Sequence, residues 1–149
     1  MGNSYISCYV HFVFSTKHHE KWLIPSIKEK IFSYIRGIAR ENGFKLIKAG
    51  EIEDHVHLLV SLSATISISN AAKYIKGGSS RWIHNNYKNM RSFAWQEGYG
   101  AFSVSISQLD RTIEYIANQE THHRHKTFKK EIIEFLKFHG IDFDEKYLK

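Results

Sequence analysis

Two histidines separated by one valine are the residues whose types and spacing point most directly to chemistry. His55-Val56-His57 lies in the strand-like run Asp54–Leu62. Because successive side chains of a strand alternate between its two faces, His55 and His57 project from the same face, with Cα atoms roughly 6.6 Å apart. Two imidazoles so placed can bind one divalent metal ion. Two polar residues on the solvent face of a half-buried strand would give the same pattern.

A second candidate lies in a predicted helix further along the chain. Ser107 followed three residues later by Asp110 predicts a capped helix start. The apolar stripe of this helix consists of Leu109, Ile113 and Ile116. Tyr115 and Gln119 are neighbours at positions i and i+4, on the flank of the apolar face. An ordinary boundary tyrosine of an amphipathic helix would fit this position equally well.

Together, the two segments resemble the single-tyrosine transposases of the HUH superfamily, which serve minimal bacterial and archaeal insertion sequences, and their REP-associated relatives. That family carries a His-hydrophobic-His strand, one helical tyrosine as nucleophile and a glutamine four residues later. The matching residues are His55, His57, Tyr115 and Gln119. Residues 95–105 and 118–123, on either side of the tyrosine helix, are also similar to the family. The resemblance covers the chain from its first strand to about residue 135.

The resemblance implies a DNA transposase that cleaves and rejoins single-stranded DNA at hairpin-marked ends, through a covalent 5′-phosphotyrosine on Tyr115. His55, His57 and Gln119 would bind Mg²⁺ or Mn²⁺, which suit a mixed nitrogen and oxygen ligand set. The lack of Cys and carboxylate ligands argues against a closed structural zinc site. The family also implies a homodimer in which the tyrosine helix of one subunit completes the histidine site of the other.

Two alternatives remain open at the level of sequence. The first is a DNA-binding regulator, a domesticated transposase relative that binds hairpins without cutting them. The second is a metal-dependent nuclease that uses water, in which Tyr115 is structural. The intact set of His55, His57, Tyr115 and Gln119 argues against a degenerate site. A covalent protein–DNA adduct would exclude the water-using nuclease.

Length and composition agree with a nucleic-acid enzyme. The 149 residues predict a single domain, and the net charge of +6 favours a polyanionic partner. The single cysteine, Cys8, allows no intrachain disulfide and is expected in the core, where it alternates with apolar residues. No leader peptide and no run of about 18 apolar residues is found. We therefore expect a cytoplasmic protein without a membrane segment.

Apolar periodicity predicts an α+β protein with the element order βαββαβ. The predicted strands are Tyr5–Phe14, Phe44–Glu51, Asp54–Leu62 and one within Trp95–Ser105; the predicted helices are Pro25–Asn42, Ser67–Asn86 and the Tyr115 helix. This order is ferredoxin-like, an antiparallel sheet with two helices on one face. The opposite face carries His55 and His57 and is expected to be open for substrate and for the additional tyrosine helix.

Basic residues outside the predicted metal site are candidates for DNA contact. Lys73, Lys76 and Arg81 flank Gly77-Gly78, a pair that costs about 1 kcal/mol per glycine in a helix interior. A close backbone approach or a kink would let these cations face DNA, although helix packing on the sheet explains the glycines equally well. After the tyrosine helix, His122, His123 and Arg124 are predicted to contact phosphates, with a solvated helix end as the alternative.

Overall fold

Four strands and four α-helices make up the part of the chain that the computed structural model describes, residues 4–119 and 126–148. The strands are β1 (Tyr9–Ser15), β2 (Lys45–Ile52), β3 (His55–Ser61) and β4 (Gly100–Val104); the helices are α1 (Pro25–Glu41), α2 (Ile68–Asn86), α3 (Leu109–Ala117) and α4 (Phe128–Phe138). Up to β4 the order is βαββαβ, which confirms the predicted α+β, ferredoxin-like fold. The predicted phosphate contacts of His122, His123 and Arg124 lie outside the described residues.

The strands form one antiparallel sheet in the order β2-β3-β1-β4. In the central pair, Val13 lies opposite His57 and Ser15 opposite His55. Both histidines therefore lie in β3, a middle strand whose backbone is paired on both sides and cannot slip by one residue without moving every side chain to the wrong face. This fixes the direction of the two imidazoles.

The main core lies between one face of the sheet and the helices α1 and α2. Val56, Leu58 and Val60 of β3 are fully buried in it, on the face that the alternating pattern predicts. They pack with apolar stripes of the two helices, including Ile35 of α1 and Ile75 of α2. Burying each such side chain stabilises the fold by about 1.5–3 kcal/mol. The histidines thus lie on the opposite face of a strand whose other face is fully buried in the main core.

The opposite face of the sheet is covered rather than open. Helix α3 packs against β2 and β3, and α4 lies on a smaller apolar cluster formed by Val13, Phe102 and Ile132. The tyrosine helix lies on this face as predicted, but the expectation that the face stays open for substrate is wrong, because α4, which the sequence analysis does not predict, also covers it. No helix of the described residues is long and apolar enough to cross a membrane.

The first strand begins later than its alternating pattern of apolar residues predicts. It starts at Tyr9 instead of Tyr5, since both neighbouring strands reach only as far as Tyr9, where Ser61 and Val104 are its partners. Before that point, the backbone oxygen of Cys8 still accepts a hydrogen bond from the backbone nitrogen of Leu62 at 2.8 Å, but the paired strands end at Tyr9. Cys8 is consequently exposed, and its predicted place in the core is wrong.

The tyrosine helix also begins later than predicted. Helix α3 starts at Leu109, after a short 3₁₀ turn at Ile106–Gln108. Ser107 is not the capping residue, because its hydroxyl lies 2.9 Å from the hydroxyl of Ser105. Asp110 still falls in the first turn, where a carboxylate is favoured by the helix dipole.

Gly50 of β2 marks the point where α3 crosses the sheet, and it gives a test of that docking. A Cβ at Gly50 would collide with the carbonyl oxygen of Ile116 and lie 2.8 Å from its Cγ2 atom. Gly50→Ala is therefore expected to lower the free energy of unfolding by about 1–3 kcal/mol, measured by urea titration.

The matched control for Gly50→Ala is Gly77→Ala in α2. A Cβ at Gly77 would meet nothing within 4 Å, and the residue is exposed in a helix interior. This substitution should raise the free energy of unfolding by about 0.5–1 kcal/mol. A Gly50→Ala protein as stable as the unmodified chain would show that α3 does not dock closely on β2.

Candidate functional site

The two histidines of β3 form the floor of the site. His55 and His57 point to the same face, as predicted, while Val56 between them joins the main core. Each imidazole is 0% exposed because α3 and α4 lie over this face. The interpretation of two polar residues on a solvent-facing strand is therefore wrong. Buried imidazoles require partners, and the site supplies them.

The nearest partner is a carboxylate from α4. Glu131 is 1% exposed, and its Oε1 atom lies 2.9 Å from Nε2 of His57 and 3.5 Å from Nε2 of His55. The ligand-capable atoms of the three residues all lie within 4.8 Å of one another. Within the described ranges, this is the one cluster of His, Cys, Asp and Glu side chains that could hold a metal ion.

The spacing of these atoms fits a single divalent ion. Nitrogen and oxygen ligands bind first-row divalent metals at about 2.0–2.2 Å, so neighbouring ligands of one ion are roughly 3.0–3.5 Å apart. The two distances from the Glu131 oxygen fall in or next to that range. The structure places a carboxylate beside the two histidines, which the sequence analysis does not predict, so the argument against zinc from the lack of a carboxylate no longer applies.

The outer nitrogen of each imidazole is also engaged. Nδ1 of His55 donates to Oδ1 of Asp54 at 2.8 Å, and Nδ1 of His57 lies 2.8 Å from Nε2 of His11. These contacts direct both Nε2 atoms towards Glu131, in the manner by which outer partners orient metal-binding histidines.

The pKa values of His55 and His11 are shifted in opposite directions. Burial disfavours the charged form of His55, but hydrogen bonds and the charges of Asp54 and Glu131 outweigh it and raise its pKa. Burial, reinforced by the neighbouring His57, holds the pKa of His11 well below its usual value. His11 is therefore a neutral imidazole, able to accept the Nδ1 proton of His57 in a hydrogen bond.

Tyr115 on α3 reaches the same carboxylate from the other side. Its hydroxyl donates a hydrogen bond to Oε2 of Glu131, and its ring centroid lies 5.8 Å from that of His57. Burial, then the charge of Glu131 and the hydrogen bond to it, raise the pKa of Tyr115, while the Gln119 amide opposes them. The phenol is held neutral in this arrangement, so a positive charge near Glu131 is needed before the oxygen becomes a good nucleophile.

Gln119 lies directly after α3, next to Tyr115, as the spacing predicts. Its side chain is 2% exposed, and its Nε2 donates to the backbone oxygen of Tyr115 at 3.3 Å. Its buried Oε1 accepts no hydrogen bond from the described part of the chain. An orphaned buried carbonyl oxygen is costly and requires an explanation, such as a ligand to bind.

Glu131 is the site residue that sequence reasoning missed. Its signal was present in the helical spacing of residues 128–138. Phe128, three residues before, and Phe135, four residues after, share its helix face, so this is a carboxylate in the middle of an apolar stripe. Charged residues are almost never fully buried unless paired, and such a position indicates a partner across the interface.

An open cleft of about 700 Å³ leads to the tyrosine. It runs along β4, α3 and α4, and Tyr115 lies on its wall, whereas neither histidine of β3 lines it. Other side chains that line it are His11, Phe102, Arg111, Glu134 and Phe138. Phe138 is 85% exposed there. The cleft thus combines an accessible phenol with a guanidinium and an exposed aromatic ring.

The basic residues predicted on α2 lie on the other side of the sheet from the histidines. Lys73 and Arg81 are exposed. The ammonium of Lys76 donates to the backbone oxygens of Gln96 and Gly98 at 2.7 and 2.6 Å, and burial lowers its pKa. Lys76 therefore stabilises the loop before β4 by hydrogen bonds. The structure does not bring Lys73, Lys76 or Arg81 to the histidine site.

The glycine pair of α2 has a packing explanation at one position. A Cβ at Gly78 would lie 2.6 Å from Cδ1 of Ile38, so Gly78 permits the close approach of α1 and α2. Gly77 faces open space between the exposed residues Lys73 and Arg81. DNA contact at this helix stays a prediction.

A histidine pair on a central strand beneath a helical tyrosine is the arrangement expected of a single-tyrosine transposase. Residues 4–119 match the family described as IS200-like transposases, and the chain belongs to this family. The sequence-based recognition and fold class are confirmed. Glu131 lies outside the matched residues.

Named relatives and solved structures agree with this family. The chain is 26% identical over 114 residues to the ISDra2 transposase TnpA of Deinococcus radiodurans, covering 73% of this chain and 81% of that protein. It is 24% identical over 119 residues to the IS200 transposase of Salmonella typhimurium, covering 76% and 77%.

Two solved structures share the fold. A crystal structure of a Deinococcus radiodurans transposase superposes with a TM-score of 0.65 at 25% identity, covering 80% of this chain and 96% of that one. A REP-associated tyrosine transposase bound to a REP hairpin gives a TM-score of 0.62 at 14% identity, covering 83% and 73%. The second likeness supports the fold alone.

Proposed function

We propose that this protein is a metal-dependent transposase that cleaves and rejoins single-stranded DNA at hairpin-marked ends, with Tyr115 as nucleophile. The observation that carries this proposal is the hydrogen bond from Tyr115 to a carboxylate that also contacts His55 and His57. The proposed nucleophile and the candidate metal site thus contact the same side chain, that of Glu131, in a member of a transposase family.

The cleft beside Tyr115 supports a single-stranded substrate. Arg111 can contact a phosphate, and the exposed ring of Phe138 offers a surface on which an unpaired base can stack. Bases of a duplex are stacked on each other and cannot use such a ring. The net charge of +6 favours the same polyanionic partner.

The proposed reaction is a transesterification. The Tyr115 oxygen attacks the phosphorus, the bond to the 3′ oxygen breaks, and the 5′ phosphate stays on the tyrosine. Oε2 of Glu131 already accepts the phenol hydrogen bond and is the atom best placed to receive the proton. Attack by a 3′-OH on the phosphotyrosine reverses the step, so that rejoining needs no ATP.

The metal part of the proposal concerns His55, His57 and, by the family resemblance, the orphaned amide oxygen of Gln119. These residues would hold Mg²⁺ or Mn²⁺. Such an ion would polarise the scissile phosphate and offset negative charge on the leaving oxygen. Asp54 and His11 keep the two imidazoles in the orientation that presents both Nε2 atoms.

The direct test is a search for the covalent adduct. Labelled single-stranded oligonucleotides carrying the palindromes next to the gene would be incubated with protein and Mg²⁺ or Mn²⁺, then separated on denaturing gels. We expect a DNA-linked protein band whose tryptic peptide carries the nucleotide on Tyr115. Binding without cleavage would support the hairpin-binding regulator. Cleavage without an adduct would support the water-using nuclease.

The family resemblance and the contacts within one chain favour different arrangements of the subunits. The family implies a homodimer with shared sites. Within one chain, however, Tyr115 already contacts Glu131 and lies beside His57. We therefore propose that each chain uses its own tyrosine.

Mixing two inactive variants tests this arrangement. His57→Ala and Tyr115→Phe chains, tagged to differ in size, are expected to stay at background cleavage when mixed under subunit exchange, because every site keeps one lesion. Shared sites would instead join the intact histidines of one chain to the intact tyrosine of the other. Recovered cleavage, with the adduct on the His57→Ala chain alone, would contradict the own-chain arrangement.

A further inference from the structure

We propose that Glu131 is a protein ligand of the metal, so that the site has two imidazoles from β3 and one carboxylate from α4. This inference rests on the metal dependence of the proposed function and adds a ligand from outside the family-matched residues 4–119. It changes the donor set from two nitrogens and an amide oxygen to one that includes a negative charge. Such a set binds divalent ions more tightly than neutral ligands alone.

The first support is convergence. Oε1 of Glu131 lies 2.9 Å from Nε2 of His57 and 3.5 Å from Nε2 of His55. The other nitrogen of each ring is already directed outwards, to His11 or to Asp54. The three inward atoms would thus serve as ligands of one ion, which the Gln119 oxygen, water or a phosphate would also bind.

The second support is burial. Glu131, His55 and His57 are each at most 1% exposed. A buried carboxylate is expensive unless it is paired, and the hydrogen bond from the Tyr115 phenol compensates a full charge only in part. A divalent ion at this point would neutralise the carboxylate.

The third support is how firmly α4 holds the carboxylate. Phe128 and Phe135, on the same helix face, lie against the imidazoles: the Phe128 and His55 ring centroids are 4.7 Å apart, and those of Phe135 and His11 are 5.1 Å apart. The Thr127 side chain caps the helix by accepting from the backbone nitrogen of Lys130. A ligand fixed by packing and a cap binds metal at a lower entropic cost.

The carboxylate has two oxygens with different neighbours. Oε1 faces the histidines, and Oε2 accepts the hydrogen bond of Tyr115. Glu131 therefore links the metal site to the nucleophile within one side chain. Neutralising its charge by a bound cation also removes the repulsion that disfavours a phenolate at Tyr115.

The experiment is metal binding without DNA, with Co²⁺ as a spectroscopic probe and Mn²⁺ measured by calorimetry. We expect the unmodified protein to bind one Co²⁺ per chain with visible absorption bands. Glu131→Gln should weaken the affinity for both ions by at least about 100-fold, since even outer-partner changes cost about 10–100-fold. The visible bands should shift in position as well.

The matched control is Glu134→Gln, which removes a carboxylate from the same helix. Glu134 pairs with Lys126 at the surface and not with the histidines. Its variant should keep the affinity and spectrum of the unmodified protein. If Glu131→Gln behaves the same way, or if the unmodified protein binds no Co²⁺ at millimolar concentration, the ligand assignment is overturned.

A structural readout covers the case in which Glu131→Gln does not fold, as judged by circular dichroism. A crystal of the unmodified protein soaked in Mn²⁺ should show an anomalous peak within about 2.4 Å of the Glu131 carboxylate. A peak bound by the histidines and Gln119 alone would refute the inference. The Tyr115 adduct is measured separately, so its formation would leave the proposed function standing even if Glu131 proves not to be a ligand.

Discussion

Replacing Tyr115 by phenylalanine is expected to abolish the covalent protein–DNA adduct while leaving a folded protein that still binds hairpin DNA. The change removes one oxygen, which is the atom proposed to attack the phosphorus. It also removes the hydrogen bond to Glu131, whose carboxylate keeps its contact with His57. The loss of stability should therefore be modest, about 1.5–3 kcal/mol for a hydrogen bond to a charged group.

The readouts are the DNA-linked band on a denaturing gel, hairpin affinity by fluorescence anisotropy and the unfolding midpoint. Tyr74→Phe serves as the control, because Tyr74 is an exposed tyrosine of α2 on the other side of the sheet. It should form adduct at the unmodified level. An adduct that survives in Tyr115→Phe would remove Tyr115 from its proposed role.

The layout of the fold could be predicted from the sequence because the alternation of core-facing apolar residues with other residues is a strong signal in central strands. In β3, Val56, Leu58 and Val60 face the core and the histidines face away, as the pattern requires. The helices α1 and α2 carry apolar stripes that match this core. The ends of elements were less predictable, since β1 starts where its partners allow and not where its own alternation begins.

The closure of the site could not be predicted in the same way. Helix α4 lies on the sheet through a small cluster, and nothing in its own sequence says which face it will cover. The contact between Glu131 and His57 joins residues 74 positions apart. Periodicity indicates that Glu131 is on the apolar face of its helix, but only the packed fold brings it to the imidazoles.

Because α3 and α4 cover the face that bears the histidines, they determine how a substrate can reach the site. His55 and His57 are 0% exposed, while Tyr115 lines the open cleft. In the proposed reaction, a scissile phosphate that enters along the cleft would contact Tyr115 first and would have to pass Glu131 to approach the histidines. The order of contacts therefore depends on α4, whose Glu131 side chain stands between the two halves of the site.

His57→Ala is expected to reduce cleavage by about 1,000-fold or more, since metal stabilisation of the reaction is worth several kcal/mol and each 1.36 kcal/mol is a factor of ten in rate. Hairpin binding should change only several-fold, because the substituted imidazole is 0% exposed and lines no part of the cleft. A chelator added to the unmodified protein should have the same effect without any mutation, and Mg²⁺ or Mn²⁺ should restore its activity but not that of His57→Ala.

His84→Ala is the matched control for that substitution. His84 is an exposed histidine of α2 whose imidazole contacts the backbone oxygen of Phe93, away from the site. It should cleave at close to the unmodified rate. The comparison separates the loss of a metal ligand from the general effect of replacing a histidine by alanine. Removing His57 also leaves Glu131 with a weaker set of partners and is expected to lower stability. Unmodified cleavage in chelator, with the protein shown to be free of metal, would refute the metal assignment whatever the variants do.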